Sequence, residues 1–240
     1  MGSNKAELLY EGKTFVQNLT EKAEKLGITK IYLSGFKERE SEKEKHTECV
    51  MEFREMECHE INQKIEQQTV WDIYPERGPL GGIHACMKKM ITPYCLILPV
   101  DVPQIPVEVL ETLLTKHETD CMLQHGKEHE INLVTDCGEE HMGNYVENSA
   151  EDSHDHRQLP LLLQHGDRKE HLIAVYPATM VSFIEELIKE HPASVHGMLE
   201  QWGFVCCQMD IEEWQAANIN TRANYQELLS QTKAGGRKEC

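Results

Sequence analysis

A chain of 240 residues with a net charge of −17 and a pI near 5.2 is a poor match for nucleic acid or an anionic membrane surface, which are held by clustered cations. No apolar run approaches the length of a membrane span and no secretory leader is visible. Nine cysteines lack the spacing of a disulfide framework, and Cys206 and Cys207 are adjacent, so they read as reduced thiols of a cytoplasmic protein.

The length suits one large domain, here read as residues 1–233 with a frayed tail at 234–240. Gly12 marks a tight turn, and Phe15, Val16, Leu19, Ala23 and Leu26 recur at helical spacing before Gly27 stops the helix. Ile28–Leu33 is a strand. Nine of the twelve residues from Lys37 to Glu48 are charged with mixed sign, which predicts a solvated loop or helix surface. Residues 49–67 read as weakly helical, and Thr69–Trp71 as a short strand ending in Asp72. Two turn-forming clusters around Leu80, within Gly78-Pro79-Leu80-Gly81-Gly82, lead into a helix through Met90. Cys95–Leu98 is a strand buried on both faces. A helix over about 107–117 and a strand near 120–124 follow. Residues 125–157, rich in His, Asp, Glu and Asn without a period, read as an irregular polar insertion. The remainder reads as strands at 159–163 and 172–175, helices at 180–188 and 193–202, a strand at 204–209, a polar loop at 217–221 and a last helix. Alternating strands and helices imply an α/β fold with a mainly parallel sheet.

The segment Tyr94–Pro106 organises the rest. Pro99, Pro103 and Pro106 end the buried strand, and Asp101 stands between them. Ligands of open α/β sheets bind outside the carboxyl ends of the strands. A lone aspartate there serves either as a turn or helix cap, or as a holder of Mg²⁺ for a nucleotide. The glycines at 78–82 either let a ligand approach the backbone or form an ordinary loop into a helix. Eight of the 13 histidines fall between His117 and His171, including His154 and His156, and a solvated insertion is the simpler reading than a Zn²⁺ or Ni²⁺ site.

Four pieces in order resemble one family. Met1-Gly2-x-Asn4-Lys5-Ala6-x-Leu8-Leu9 with Gly12-Lys13 is similar to the second half of the molybdenum cofactor guanylyltransferase signature, Leu-Ala-Gly-Gly-x-Ser-x-Arg-Met-Gly-x-Asp-Lys-Ala. Gly78–Ile83 resembles that family's second loop, Leu98–Pro103 its metal-binding strand end, and Asn218-Ile219-Asn220-Thr221 its C-terminal motif. The resemblance implies a Rossmann-like nucleotidyltransferase fold, a three-layer sandwich. It implies transfer of GMP from GTP to molybdenum-bound molybdopterin with release of pyrophosphate, with chaperone or cofactor-inserting proteins as further partners. Related enzymes of the fold use CTP or other phosphorylated acceptors. By the resemblance, Asp101 holds Mg²⁺ and Lys5 contacts the triphosphate, both as catalytic residues. Asp72, Gly78, Pro79 and Leu80 shape the nucleotide site, and Asn218 and Asn220 hydrogen-bond the pterin side. Arg77 and Arg222 are further phosphate contacts by charge and position. The family's first strand and its Leu-Ala-Gly-Gly phosphate loop are not in this sequence, so the coding start is expected about fifteen residues upstream, the size of one strand plus its loop; otherwise the product is impaired or binding-only. Loss of that central strand is expected to leave its neighbours unpaired.

Overall fold

The structure, a computed structural model, describes residues 5–37, 44–53, 65–125, 158–190 and 193–235. A short hairpin, β1 (Leu9–Tyr10) and β2 (Lys13–Thr14), turns through Glu11 and Gly12, both at positive φ. Helix α1 (Phe15–Lys25) starts at a capping box in which Thr14 Oγ1 accepts from the Gln17 amide and Gln17 Oε1 accepts from the Thr14 amide. Strands β3 (Lys30–Lys37), β4 (Glu44–Phe53) and β5 (Glu66–Trp71) follow, then α2 (Pro79–Met87), β6 (Tyr94–Pro99) and α3 (Val107–His125). The second half holds β7 (Leu161–His165), β8 (Arg168–Pro177), α4 (Met180–Glu190), α5 (Val195–Trp202), β9 (Val205–Gln208) and α6 (Arg222–Gly235).

Seven strands form one sheet in the order β5-β3-β4-β6-β8-β7-β9. Five of them (β3, β5, β6, β7 and β9) run in one direction, and β4 and β8 run against them. The sheet is therefore mainly parallel in strand direction. Because the two reversed strands stand between the others, only β3–β5 and β7–β9 are parallel neighbours.

Helices cover both faces. Phe15, Leu19 and Ala23 of α1, Leu110, Leu113 and Leu114 of α3 and Leu228 of α6 pack on one side. Ile83 and Cys86 of α2, Ile184 and Ile188 of α4 and Met198 and Leu199 of α5 pack on the other. β6 is buried along its whole length, as its unbroken apolar run requires. Cys49, Cys86, Cys95, Cys206 and Cys207 are free thiols, and burial pushes those of Cys49 and Cys95 up, so they are poor nucleophiles. No helix among the described residues is long and apolar enough to cross a membrane.

Three sequence expectations fail. First, residues 44–53 are neither loop nor helix: they are β4, in the middle of the sheet. β4 pairs with β3 from Lys30↔Glu52 to Lys37↔Glu44 and with β6 from Glu48↔Pro99 to Phe53↔Tyr94. Second, and for that reason, no strand at the centre of the sheet is unpaired among the described residues. Cys49 and Met51 enter one core layer and Val50 the other, as the two-residue period of a strand demands. Glu52 tolerates burial because its carboxylate accepts from the amides of Ile91 (2.6 Å) and Thr92 (2.8 Å) and from the Tyr32 hydroxyl (3.1 Å). Third, 120–124 is not a strand; α3 continues through it to His125. Residues 126–157, where the polar insertion and the His154–His156 pair were expected, lie outside the described residues, as do 236–240 of the expected tail.

Two outcomes follow from this packing. Met51→Ala removes a fully buried side chain from the central strand and should cost about 2–5 kcal/mol in a urea titration; an unchanged midpoint would take β4 out of the core. His117 on α3 packs edge-on to Tyr94 at 4.2 Å between ring centroids, and burial lowers its pKa from 6.5 to about 4. The unfolded chain therefore takes up a proton over that window before the folded chain does, so His117 contributes stability above pH 6.5 that is lost as pH falls toward 4. Denaturation midpoints of wild type and His117→Leu should diverge over this range, and parallel curves would contradict the assignment.

Candidate active site

β5, β6 and β9 run the same way, so the chain segments that leave them share one edge of the sheet. This is the carboxyl edge, where open α/β sheets gather ligands. β6 ends at Pro99, and Val100 and Val102 turn into the core on either side of Asp101. The Asp101 side chain is 13% exposed, and its Oδ2 lies 2.6 Å from Lys5 Nζ. Lys5 opens a single 3-10 turn, Lys5–Glu7, seated by the buried Ala6. The same ammonium donates to Asn220 Oδ1 at 2.5 Å. The Ile219 amide donates to the Asp101 carbonyl oxygen at 2.9 Å, joining the asparagine loop to the Asp101 segment through the backbone.

Asn220 precedes α6, whose first turn is closed by a reciprocal pair. Thr221 Oγ1 accepts from the Asn224 amide (3.1 Å), and Asn224 Oδ1 accepts from the Thr221 amide (3.2 Å). The Tyr225 hydroxyl donates to the Leu9 carbonyl at 2.7 Å, and its ring meets Phe15 edge-on. The first and last helical regions are thus tied together beside Asp101. Asn218 is half-buried, and its carbonyl accepts from the Asn220 amide at 3.1 Å. Lys22 of α1, largely buried, donates from Nζ to the Pro103 carbonyl of the same segment.

The second loop stands at the end of β5. Two strands, β3 and β4, separate β5 from β6, which puts Asp72 and Asp101 roughly 14 Å apart along the edge at three strand spacings. Asp72 Oδ1 accepts from the Tyr74 amide at 2.7 Å, and burial holds the carboxyl above its ordinary pKa. Gly78, at φ 56°, is the N-cap of α2, and Pro79 takes the first helical position. Leu80 is fully buried, and its side chain anchors the loop in the core.

Gly81 has a purpose that differs from the one expected of a ligand-facing glycine. A Cβ there would stand 2.5 Å from the Tyr74 carbonyl oxygen and within 2.8 Å of both Asp72 carboxylate oxygens. The glycine lets the chain's own loop close on the helix. Arg77 is half-buried in this loop, and Arg222 is exposed at the start of α6.

Of the residues singled out in the sequence, Lys5, Asp101 and Asn220 meet at one point, with Asn218 two residues away. Asp72, Gly78, Pro79 and Leu80 form a separate cluster on the same edge. Lys22 was missed. The available signal was its place three residues after Leu19 and four before Leu26, on the buried stripe of α1. Among the described residues no group of three or more His, Cys, Asp or Glu is placed to hold a metal ion. The oxygens that converge are Asp101 Oδ2 and Asn220 Oδ1, and the ammonium of Lys5 lies between them. Two hard oxygen donors around a point of positive charge suit a cation that takes its remaining ligands from water and phosphate.

A three-layer α/β sheet with a lysine, an aspartate and an asparagine joined at its carboxyl edge, and a Gly-Pro helix start beside them, has the organisation of a nucleotidyltransferase. The model of the MobA-like NTP transferase domain matches residues 1–202, and the chain belongs to this family. It is 36% identical over 64 residues to the molybdenum cofactor guanylyltransferase of Photobacterium profundum, covering 26% of this chain and 32% of that protein. It is 28% identical over 113 residues to the molybdenum cofactor guanylyltransferase of Vibrio campbellii, covering 45% of this chain and 48% of that protein. Across the curated relatives matched, the aligned stretches span between 21% and 48% of the relative's length. Among solved structures, the molybdopterin-guanine dinucleotide biosynthesis protein A of Archaeoglobus fulgidus superposes with a TM-score of 0.55 at 18% identity, covering 97% of this chain and 92% of that chain. That likeness establishes the fold.

Gly81→Ala should force apart the Tyr74 carbonyl, the Asp72 carboxylate and the start of α2. The expected loss is about 1–3 kcal/mol by chemical denaturation. A variant as stable as wild type would show that this close approach does not hold the loop.

Proposed function

We propose that this chain transfers GMP from GTP to the terminal phosphate of molybdenum-bound molybdopterin, releasing pyrophosphate and forming the guanine dinucleotide form of the cofactor. The observation that carries the reading is the meeting of Lys5, Asp101 and Asn220 at the end of β6. These residues come from three distant parts of the chain and were each matched to the same family on sequence. The names of the curated relatives support the choice of substrates.

The reaction on this reading is an in-line displacement. An oxygen of the acceptor phosphate forms a bond to the α-phosphorus of GTP. The bond from that phosphorus to the oxygen bridging to the β-phosphate breaks, and its electron pair leaves with pyrophosphate. The acceptor phosphate is already ionised near neutral pH, so the protein supplies position and positive charge, with no strong base. Asp101 and Asn220 are the residues that would hold Mg²⁺, which, when bound, neutralises charge on the phosphate oxygens. Lys5 would exchange its contact with Asp101 for one with the triphosphate. A chain with a net charge of −17 needs such local cations to admit a polyanion, and Arg77 and Arg222 would add to them. The Asp72–Gly78–Pro79 loop would take the nucleoside, with Leu80 as its buried anchor. Asn218 would face the pterin.

Asp101→Asn keeps the shape of the side chain and removes its charge. It should lower Mg²⁺-dependent pyrophosphate release from GTP at least ~100-fold, as loss of a charge-stabilising group does, with an unchanged circular dichroism spectrum. Turnover at the wild-type rate would remove Asp101 from the mechanism, and a preference for CTP over GTP in the wild-type chain would replace the guanylyl reading with a cytidylyl one.

A further inference from the structure

The segment that carries Asp101 has little internal support. Pro99, Pro103 and Pro106 offer no amide hydrogen. The internal bonds of the segment, Val102 amide to Pro99 carbonyl and Ile105 amide to Val102 carbonyl, are both long at 3.4 Å. Its shape therefore depends on what reaches it from outside. Val100, Val102 and Ile105 are sunk in the core. The Ile219 amide holds the Asp101 carbonyl. From α1, Lys22 Nζ holds the Pro103 carbonyl. A lysine on the buried stripe of a helix gives up hydration that a leucine there would not need, and it spends its charge on a peptide oxygen two residues from Asp101.

We infer that Lys22 is a positioning residue: its hold on the Pro103 carbonyl fixes where the Asp101 carboxylate meets Lys5 and Asn220. The inference rests on the reading of Asp101 as the carboxylate of the transfer site. The charged groups around Lys22 are Glu11 in the β1–β2 turn, Lys25 on α1 and Glu108 on α3. Burial outweighs them and brings the ammonium down to about 8, with the glutamates raising it and Lys25 lowering it.

This gives activity and stability opposite trends with pH. As pH rises through about 8 the ammonium is lost, the hold on Pro103 weakens, and kcat falls. Over the same rise, from about 8 to the unfolded value of 10.5, the unfolded chain carries more protons than the folded one at this site, so Lys22 makes the fold more stable. A merely structural lysine would not separate the two.

The test uses the full chain with Lys22→Met and Lys22→Arg. With GTP, Mg²⁺ and a molybdopterin acceptor, Lys22→Met should lower kcat about tenfold or more, the scale on which misplacement of a catalytic group acts, with KM for GTP within about twofold of wild type. Lys22→Arg should restore most of the rate and carry the alkaline fall to higher pH, because guanidinium stays charged. Amide exchange gives a readout that needs no turnover: Ile105 and Ile219 should lose protection in Lys22→Met. If that variant fails to fold, the same amides should lose protection in wild type between pH 7 and 9.5 and keep it in Lys22→Arg. Absence of pyrophosphate release by wild type would retire the proposed reaction and leave the exchange data to decide the inference. Protection at Ile105 and Ile219 that is indifferent to Lys22 and to its charge would overturn it.

Discussion

The contact on which the rest depends is the ion pair between Lys5 and Asp101, at 2.6 Å and largely withdrawn from water. It links the first described residue of the chain to the end of a strand 96 positions later. Asn220 completes it from a further 119 positions on. Bringing three such distant groups together costs loop-closure entropy at each step, so the sheet must hold its strand ends in register. Every large feature of the fold serves that register. β6 is buried on both faces, prolines halt it at one residue, and helices on both sides keep the sheet from shearing.

β4 is central to that rigidity. Running against β3 and β6, it pairs with both, from Lys30↔Glu52 to Lys37↔Glu44 across an irregularity at Leu33/Gly35 and from Glu48↔Pro99 to Phe53↔Tyr94. Its three most buried residues, Cys49, Val50 and Met51, join the two core layers across the sheet. Like β8, it enters the sheet from the carboxyl edge, where β3, β5, β6, β7 and β9 leave. The edge that carries Asp101 is thus built from five departing strands and two arriving ones.

Much of this was legible in the residues. The strand at 95–98 was visible because an apolar run bounded by prolines admits few alternatives, and the helix at 15–26 because its stripe is regular. Asp101 was visible for the same reason as the strand: it is the lone charge among three prolines. The asparagine loop was legible only through its likeness to a family motif, since nothing in Asn218 and Asn220 alone reveals a partner more than 100 residues away. β4 was hidden. Its apolar core is three residues flanked by glutamates, and a buried Glu52 reads as surface until Tyr32 and the amides of Ile91 and Thr92 are seen to satisfy it. The purpose of Gly81 stayed open between ligand approach and an ordinary loop, because the sequence cannot show that Asp72 and Tyr74 fold back onto it. Lys22 was passed over because a lysine in a helix is normally at the surface, and only the tertiary contact with Pro103 shows otherwise.

The claim at the centre of the account is that a divalent cation with a nucleoside triphosphate is gathered where Lys5, Asp101 and Asn220 meet. Paramagnetic broadening by Mn²⁺, added with a non-hydrolysable GTP analogue and followed in the amide NMR spectrum, tests it most directly. The account predicts that the signals of Asp101, Ile219 and Asn220 broaden first and together, and that Asp101→Asn abolishes the effect. Broadening that spares these three and concentrates among the histidines of residues 126–157 would contradict it.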